Sequence, residues 1–168
     1  MLSNINFYFK ISFPTLTIFF LTFLNLFTSK NYFDFGQLFI FQGIFFWLIY
    51  SPKLLPLYII LIAGIFQDII YLTPIGSTAL VFLFLIFLFD KYNKLFLEPS
   101  FFELFLSFVV LFTIGMISFW SLNCLINLKF LSMNINFIYE ILFNLFFFPI
   151  NYFFLHIFFK KLGLDKKL

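Results

Sequence analysis

The chain has 168 residues, 64% hydrophobic and only 10% charged, with a mean hydropathy of +1.11; a soluble chain is about 45–50% apolar and about 25% charged. That balance excludes a water-soluble domain, which needs a charged surface. The net charge of +3 comes from lysines placed between apolar runs, where they orient helices, so no nucleic-acid partner is expected.

Six successive apolar runs approach the roughly 20 residues that a spanning helix needs. They predict an all-α integral membrane protein, a single transmembrane domain over 1–168 with spans near 11–28, 35–50, 54–72, 74–89, 101–126 and 135–159. The first run follows Lys10 without a small-x-small cleavage site and reads as a retained signal anchor. Spans three and four each open on a hydroxyl followed by proline, Ser51-Pro52 and Thr73-Pro74, read as an N-cap with proline at the first helical position. Span five opens on Ser100-Phe101-Phe102-Glu103, a capping box behind the terminating Pro99. The connection between spans three and four is so tight that the two form an antiparallel hairpin.

Placing both termini in the cytoplasm puts Lys10, Lys53, Lys91, Lys94, Lys160, Lys161, Lys166 and Lys167 inside, and only Lys30 and Lys129 outside. This asymmetry predicts an N-in, C-in topology.

Asp68 is the one acidic or basic side chain in the interior of the first four spans, where a charge costs about 2.5–3.5 kcal/mol or more. It falls one turn before the outer end of span three, and the free N–H groups at the start of span four suit a carboxylate. It reads as a clamp on the hairpin, with a proton or cation relay as the alternative. Gln67 beside it suits a hydrogen bond between helices, and Gly64, one turn below on the same face, suits a close helix approach.

In span six Asn136, Glu140, Asn144 and Asn151 share one stripe of a 3.6-residue helix. The stripe faces other helices as packing contacts, or else a partner or a cavity. Ser107, Gly115, Ser118 and Ser121 give span five small residues for close contact. His156 lies about 24 Å along the helix from Glu140, which excludes a shared site. The single cysteine, Cys124, rules out an intramolecular disulfide and a cysteine-based metal site. With no phosphate loop, nucleophile elbow or H-E-x-x-H helix, neither a cofactor nor a metal is expected, and the chain does not read as an enzyme. The 35 phenylalanines read as base-composition drift among lipid-compatible side chains, not as a cofactor box.

The segment Gly64-Ile-Phe-Gln-Asp68-Ile-Ile-Tyr-Leu-Thr-Pro74-Ile-Gly76-Ser-Thr-Ala79-Leu80 resembles the signature hairpin of the rod shape-determining MreD family, G-x-x-x-D followed by a short turn and P-x-G-x-x-A-L. Chain length and span count fit, as does Tyr50-Ser-Pro52-Lys53 ahead of span three. A weaker echo runs from Asn144 to Pro149. The phenylalanine content and the lack of arginine depart from the family.

The resemblance implies a multi-pass protein of the bacterial inner membrane, a scaffold of the cell elongation machinery needed for rod shape and lateral peptidoglycan synthesis. It implies an MreC-like protein as direct partner, with a RodA-like glycosyltransferase and a penicillin-binding transpeptidase nearby, in contact with membrane lipid. On it, Gly64, Gln67, Asp68, Pro74, Gly76, Glu140 and Asn144 become structural or partner-binding candidates. The alternative is a substrate-binding membrane subunit of an energy-coupling-factor type transporter for small solutes. Those typically dock through small residues in their first helix, and the first run here has no alanine stripe.

Overall fold

Every regular element among the described residues, 12–23, 39–92, 100–128 and 135–163, is helical in the computed structural model. The helices are α1 (Ser12–Phe23), α2 (Phe39–Tyr50), α3 (Leu57–Tyr71), α4 (Ser77–Tyr92), α5 (Phe101–Ile126) and α6 (Ile135–Lys161), with a 3-10 turn at Pro52–Leu54. Two stretches, α5 and Ile138–Lys161 of α6, are long and apolar enough to cross a membrane, and α1, α2 and α3 are shorter apolar helices.

Apart from Gln42, helix α2 is apolar on all sides, and it sits at the centre with Ile40 through Leu48 buried without interruption. A helix hydrophobic all round finds partners all round. On one side Trp47 Nε1 donates to Thr17 Oγ1 of α1 at 2.8 Å. A Cβ on Gly43 of α2 would lie 2.5 Å from Leu21 Cδ1, so that contact uses the missing side chain. Toward α4, α5 and α6, Phe41 and Phe45 meet Phe82, Phe89, Phe108, Phe112 and Phe148 in a continuous aromatic core. Within it Phe108 and Phe148 stack at 4.0 Å between centroids. Some of the phenylalanines thus form the interior, where ring pairs add to simple area burial, while others, Phe66, Phe146 and Phe153 among them, face outward.

Polar side chains share the interior with this aromatic core, and apolar side chains also face outward. Gln42, Gln67, Asp68, Ser77, Thr78 and Asn144 are buried, while Ile62, Ile65, Phe66, Ile69 on α3 and Leu142, Phe146, Phe153, Phe154 on α6 lie exposed. The exposed side chains recur at three- and four-residue spacing, so each helix turns an apolar stripe outward.

Helix starts agree with the sequence at α5 and differ at α3 and α4. At α5 the capping box is complete, Ser100 N donating to Glu103 Oε2 at 2.7 Å and Glu103 N to Ser100 Oγ at 3.4 Å. At Ser51 the side chain caps nothing, and Pro52 opens the 3-10 turn instead. Helix α3 begins five residues beyond Pro52 at Leu57, behind Pro56 in extended backbone. Neither does Thr73-Pro74 start α4, which begins at Ser77. Pro74 sits in the turn, its carbonyl accepting from Ser77 N at 3.0 Å. At α4 the reason is that Asp68 takes the Thr73 hydroxyl and the free N–H groups of Gly76 and Thr78, which defines the site below. Lys10, Lys30, Lys94, Lys129, Lys166 and Lys167 lie outside the described residues, as do the outer end of the first predicted span and the start of the second.

Candidate functional site

Among the described residues helices α3 and α4 pack more extensively than any other pair, and their contact is close where neither backbone carries bulk. A Cβ on Gly64 would lie 2.6 Å from Ala79 Cα and 2.8 Å from Ala79 N. No real Cβ sits that close to backbone, so glycine here sets the spacing of the hairpin. Asp68 follows one turn later on the same face, brought up against the first turn of α4.

There the Asp68 carboxylate, 1% exposed, accepts four hydrogen bonds. Oδ1 takes Thr73 Oγ1 at 3.0 Å, Ser77 Oγ at 3.1 Å and Thr78 N at 3.1 Å, and Oδ2 takes Gly76 N at 2.7 Å. The first four N–H groups of a helix have no intrahelical acceptor. A side chain from the preceding helix therefore supplies what an N-cap residue would supply, and it does so where the positive end of the helix dipole lies. Thr73, read from sequence as the N-cap, spends its hydroxyl on Asp68 instead.

The turn is shaped to deliver those donors. Asp68's own carbonyl accepts the N–H of Leu72 and of Thr73, ending α3. Leu72 then adopts the left-handed conformation at φ 54°, and at 92% exposure its side chain touches little. Gly76 stands at φ +95°, a conformation that glycine reaches without steric cost. Its N–H points to Asp68 while its carbonyl accepts Leu80 N at 2.9 Å as the first bond of α4. Gly64, Asp68, Pro74 and Gly76 are thus parts of one hairpin. Gln67 is fully buried beside them.

The amide stripe of α6 meets α2. Gln42 Nε2 donates to Asn144 Oδ1 at 3.2 Å and to the Asn144 carbonyl at 3.1 Å. Asn151 Nδ2 returns a bond of 2.6 Å to Gln42 Oε1. Asn144 Nδ2 donates to the Glu140 carbonyl at 3.0 Å, and the Glu140 side chain lies at intermediate exposure. The side chain of Asn136 lies outside the described residues. Gln42 is the residue that sequence reading passed over. A lone amide in an otherwise apolar helix was the available signal, and a stripe of amides elsewhere was its obvious match.

Small residues of α5 divide. A Cβ on Gly115 would lie 2.8 Å from Leu85 Cδ1, so the glycine seats a side chain of α4. Ser107 and Ser121 instead donate to carbonyls of their own helix. At the opposite end of the bundle Tyr50 and Tyr152 share a hydroxyl–hydroxyl bond, with His156 stacked on Tyr152.

Among the described residues no three His, Cys, Asp or Glu side chains gather around a point where a metal ion would sit. What the Asp68 arrangement does chemically is hold: every polar contact on its carboxylate is taken up by the turn it closes. Comparison with protein families, curated proteins and solved structures returns no match.

Proposed function

We propose that this chain is a multi-pass membrane scaffold of the MreD kind, crossing the bacterial inner membrane six times with both ends in the cytoplasm. The observation that carries the reading is the hairpin: the residues of the G-x-x-x-D and P-x-G-x-x-A elements that give the resemblance all serve one structural device. Gly64 admits Ala79, Asp68 takes the free donors of α4, and Pro74 and Gly76 shape the turn that presents them. A motif whose parts interlock in this way marks a built element more strongly than the same letters scattered along the chain.

The bilayer supports the same reading from a second direction. A buried carboxylate and buried amides matched by hydrogen bonds, with apolar side chains turned outward, suit lipid, where an unsatisfied polar group is costly. The lysine asymmetry then places the turn at residues 72–76 on the outer side and Lys53, Lys91, Lys160 and Lys161 on the inner side. A protein whose buried carboxylate and amides are spent on its own folding acts through the faces it offers to neighbours. Its expected role is to hold an MreC-like protein and the associated glycosyltransferase and transpeptidase in place during wall elongation.

Co-purification in mild detergent with the cognate MreC-like protein, together with cell shape after depletion, tests this. A stable complex and rounded cells are expected. Normal rods with no complex would contradict it.

A further inference from the structure

The outward face of the α3–α4 hairpin is apolar along its length, with Ile62, Phe66 and Ile69 of α3 and Leu80, Phe84 and Phe87 of α4 exposed. It is also short. Helix α3 has 15 residues, about 22 Å, and α4 runs about 20 Å from Ser77 to Phe89 before the exposed charges of Asp90 and Lys91. Counted in the same way between charged side chains, α5 runs about 35 Å from Leu104 to Ile126, and α6 about 28 Å from Ile141 to Phe159. The long pair fits the roughly 30 Å hydrocarbon core of an ordinary bilayer, and the hairpin falls short of it by about 8–10 Å.

The length of the hairpin is fixed at both ends. On the outer side the Asp68 carbonyl closes α3 and the Asp68 carboxylate takes the free donors of α4, so neither helix adds a turn there without opening the clamp. On the inner side Pro56 stands in extended backbone immediately before α3, and Lys53 is exposed. Tilt brings no relief, because a tilted helix spans less; a short span is matched by thinner lipid or by association with another chain. Side-chain size decides between the two. Helices that associate in a membrane bring small residues to the contact, and those of the hairpin, Ala63, Gly64, Ser77 and Ala79, are all buried inward. Between its charges the outward face carries only large apolar side chains, which suit acyl chains.

We infer that the outward face of the α3–α4 hairpin is a lipid-contact surface built for a thin hydrocarbon layer, one that gathers short acyl chains and thins the bilayer on that side of the bundle. The inference rests on the membrane-spanning reading proposed above. Lipid thickness then differs around one protein, thin beside α3–α4 and ordinary beside α5 and α6.

The test places the full chain in nanodiscs of fluid, monounsaturated phosphatidylglycerol with chains of about 14 to about 22 carbons, whose cores lie on both sides of about 30 Å. The wild type is expected to melt highest at about 14–16 carbons, and about 4–8 °C lower in the longest lipid. Asp90→Leu with Lys91→Leu lengthens the apolar run of α4, and its maximum is expected to move to longer chains. Lys91→Leu alone, the milder change, is expected to move it in the same direction by less. A wild-type maximum at about 18 carbons or more overturns the inference, as does a maximum that stays in place in the lengthened variants. Self-association that grows with chain length, without a preference for short chains, assigns the face to a second copy and overturns the lipid. Alkaline carbonate extraction separates this inference from the reading beneath it. Release of the wild type from cell membranes would remove the membrane-spanning reading itself, whereas a retained chain that prefers long lipid removes only the thin-lipid surface.

Discussion

Two of the polar contacts that hold helices together are built from different distances along the chain. The Asp68 clamp joins groups five to ten residues apart, with donors that are backbone as often as side chain. The Gln42–Asn144–Asn151 contact joins side chains 102 and 109 residues apart across two helices that no turn connects. A short-range clamp closes as soon as its hairpin forms, since little chain has to be ordered first. The long-range amide contact forms only when α6 returns to α2, so it reports assembly of the whole bundle.

Substitutions sharpen that difference. Asp68→Ala should have the largest effect, about 3–5 kcal/mol, because it leaves buried donors of the turn without an acceptor. Asp68→Asn should fall between it and wild type, since an amide keeps one acceptor oxygen. Gly64→Ala should cost about 2–3 kcal/mol as α3 and α4 are pushed apart. Chemical denaturation in detergent micelles reads both, and a loss below about 1 kcal/mol for either would mean that the hairpin does not depend on its clamp. Gln42→Leu should cost less, about 1–2 kcal/mol, in line with polar contacts between membrane helices. Adding Asn151→Leu should recover part of it, because the pair then leaves fewer unmatched polar groups. If the double variant is as unstable as the sum of the singles, the two amides are not coupled.

The smallest effect is expected at the tip, and it has the opposite sign. Leu72 stands in the left-handed region with its side chain in the open, so Leu72→Gly should stabilise by about 0.5–1 kcal/mol. A loss of stability there would show that the exposed leucine makes a contact of its own.

How much of this was legible in the sequence follows from the same contrast of distances. The acid at Asp68, the glycine one turn before it and the tight turn after it lie within a few turns of one another. The clamp and its donors at the start of α4 were therefore readable. The capping box at Ser100 was readable for the same reason. The starts of α3 and α4 were not, because the hydroxyl-proline rule considers only local partners. At Thr73 a buried carboxylate competes for the hydroxyl, and at Pro52 the chain takes a 3-10 turn before α3 begins. Gln42 was missed because its partners are remote, and an amide among apolar residues carries no label for the helix it will meet. Which phenylalanines form the core and which face outward was not legible, because composition does not say which face of a helix each one occupies.

On the proposed topology a polar clamp closes a hairpin on the outer side of a membrane, with the other ends of both helices inside. Single-cysteine variants Leu72→Cys and Lys91→Cys, each with Cys124→Ser, test it in intact cells with a membrane-impermeant thiol reagent. Both positions are exposed and lie at opposite ends of α3–α4. Labelling at position 72 without labelling at 91 until the cells are opened is the predicted result. Labelling at 91 alone, or at both from outside, would contradict it.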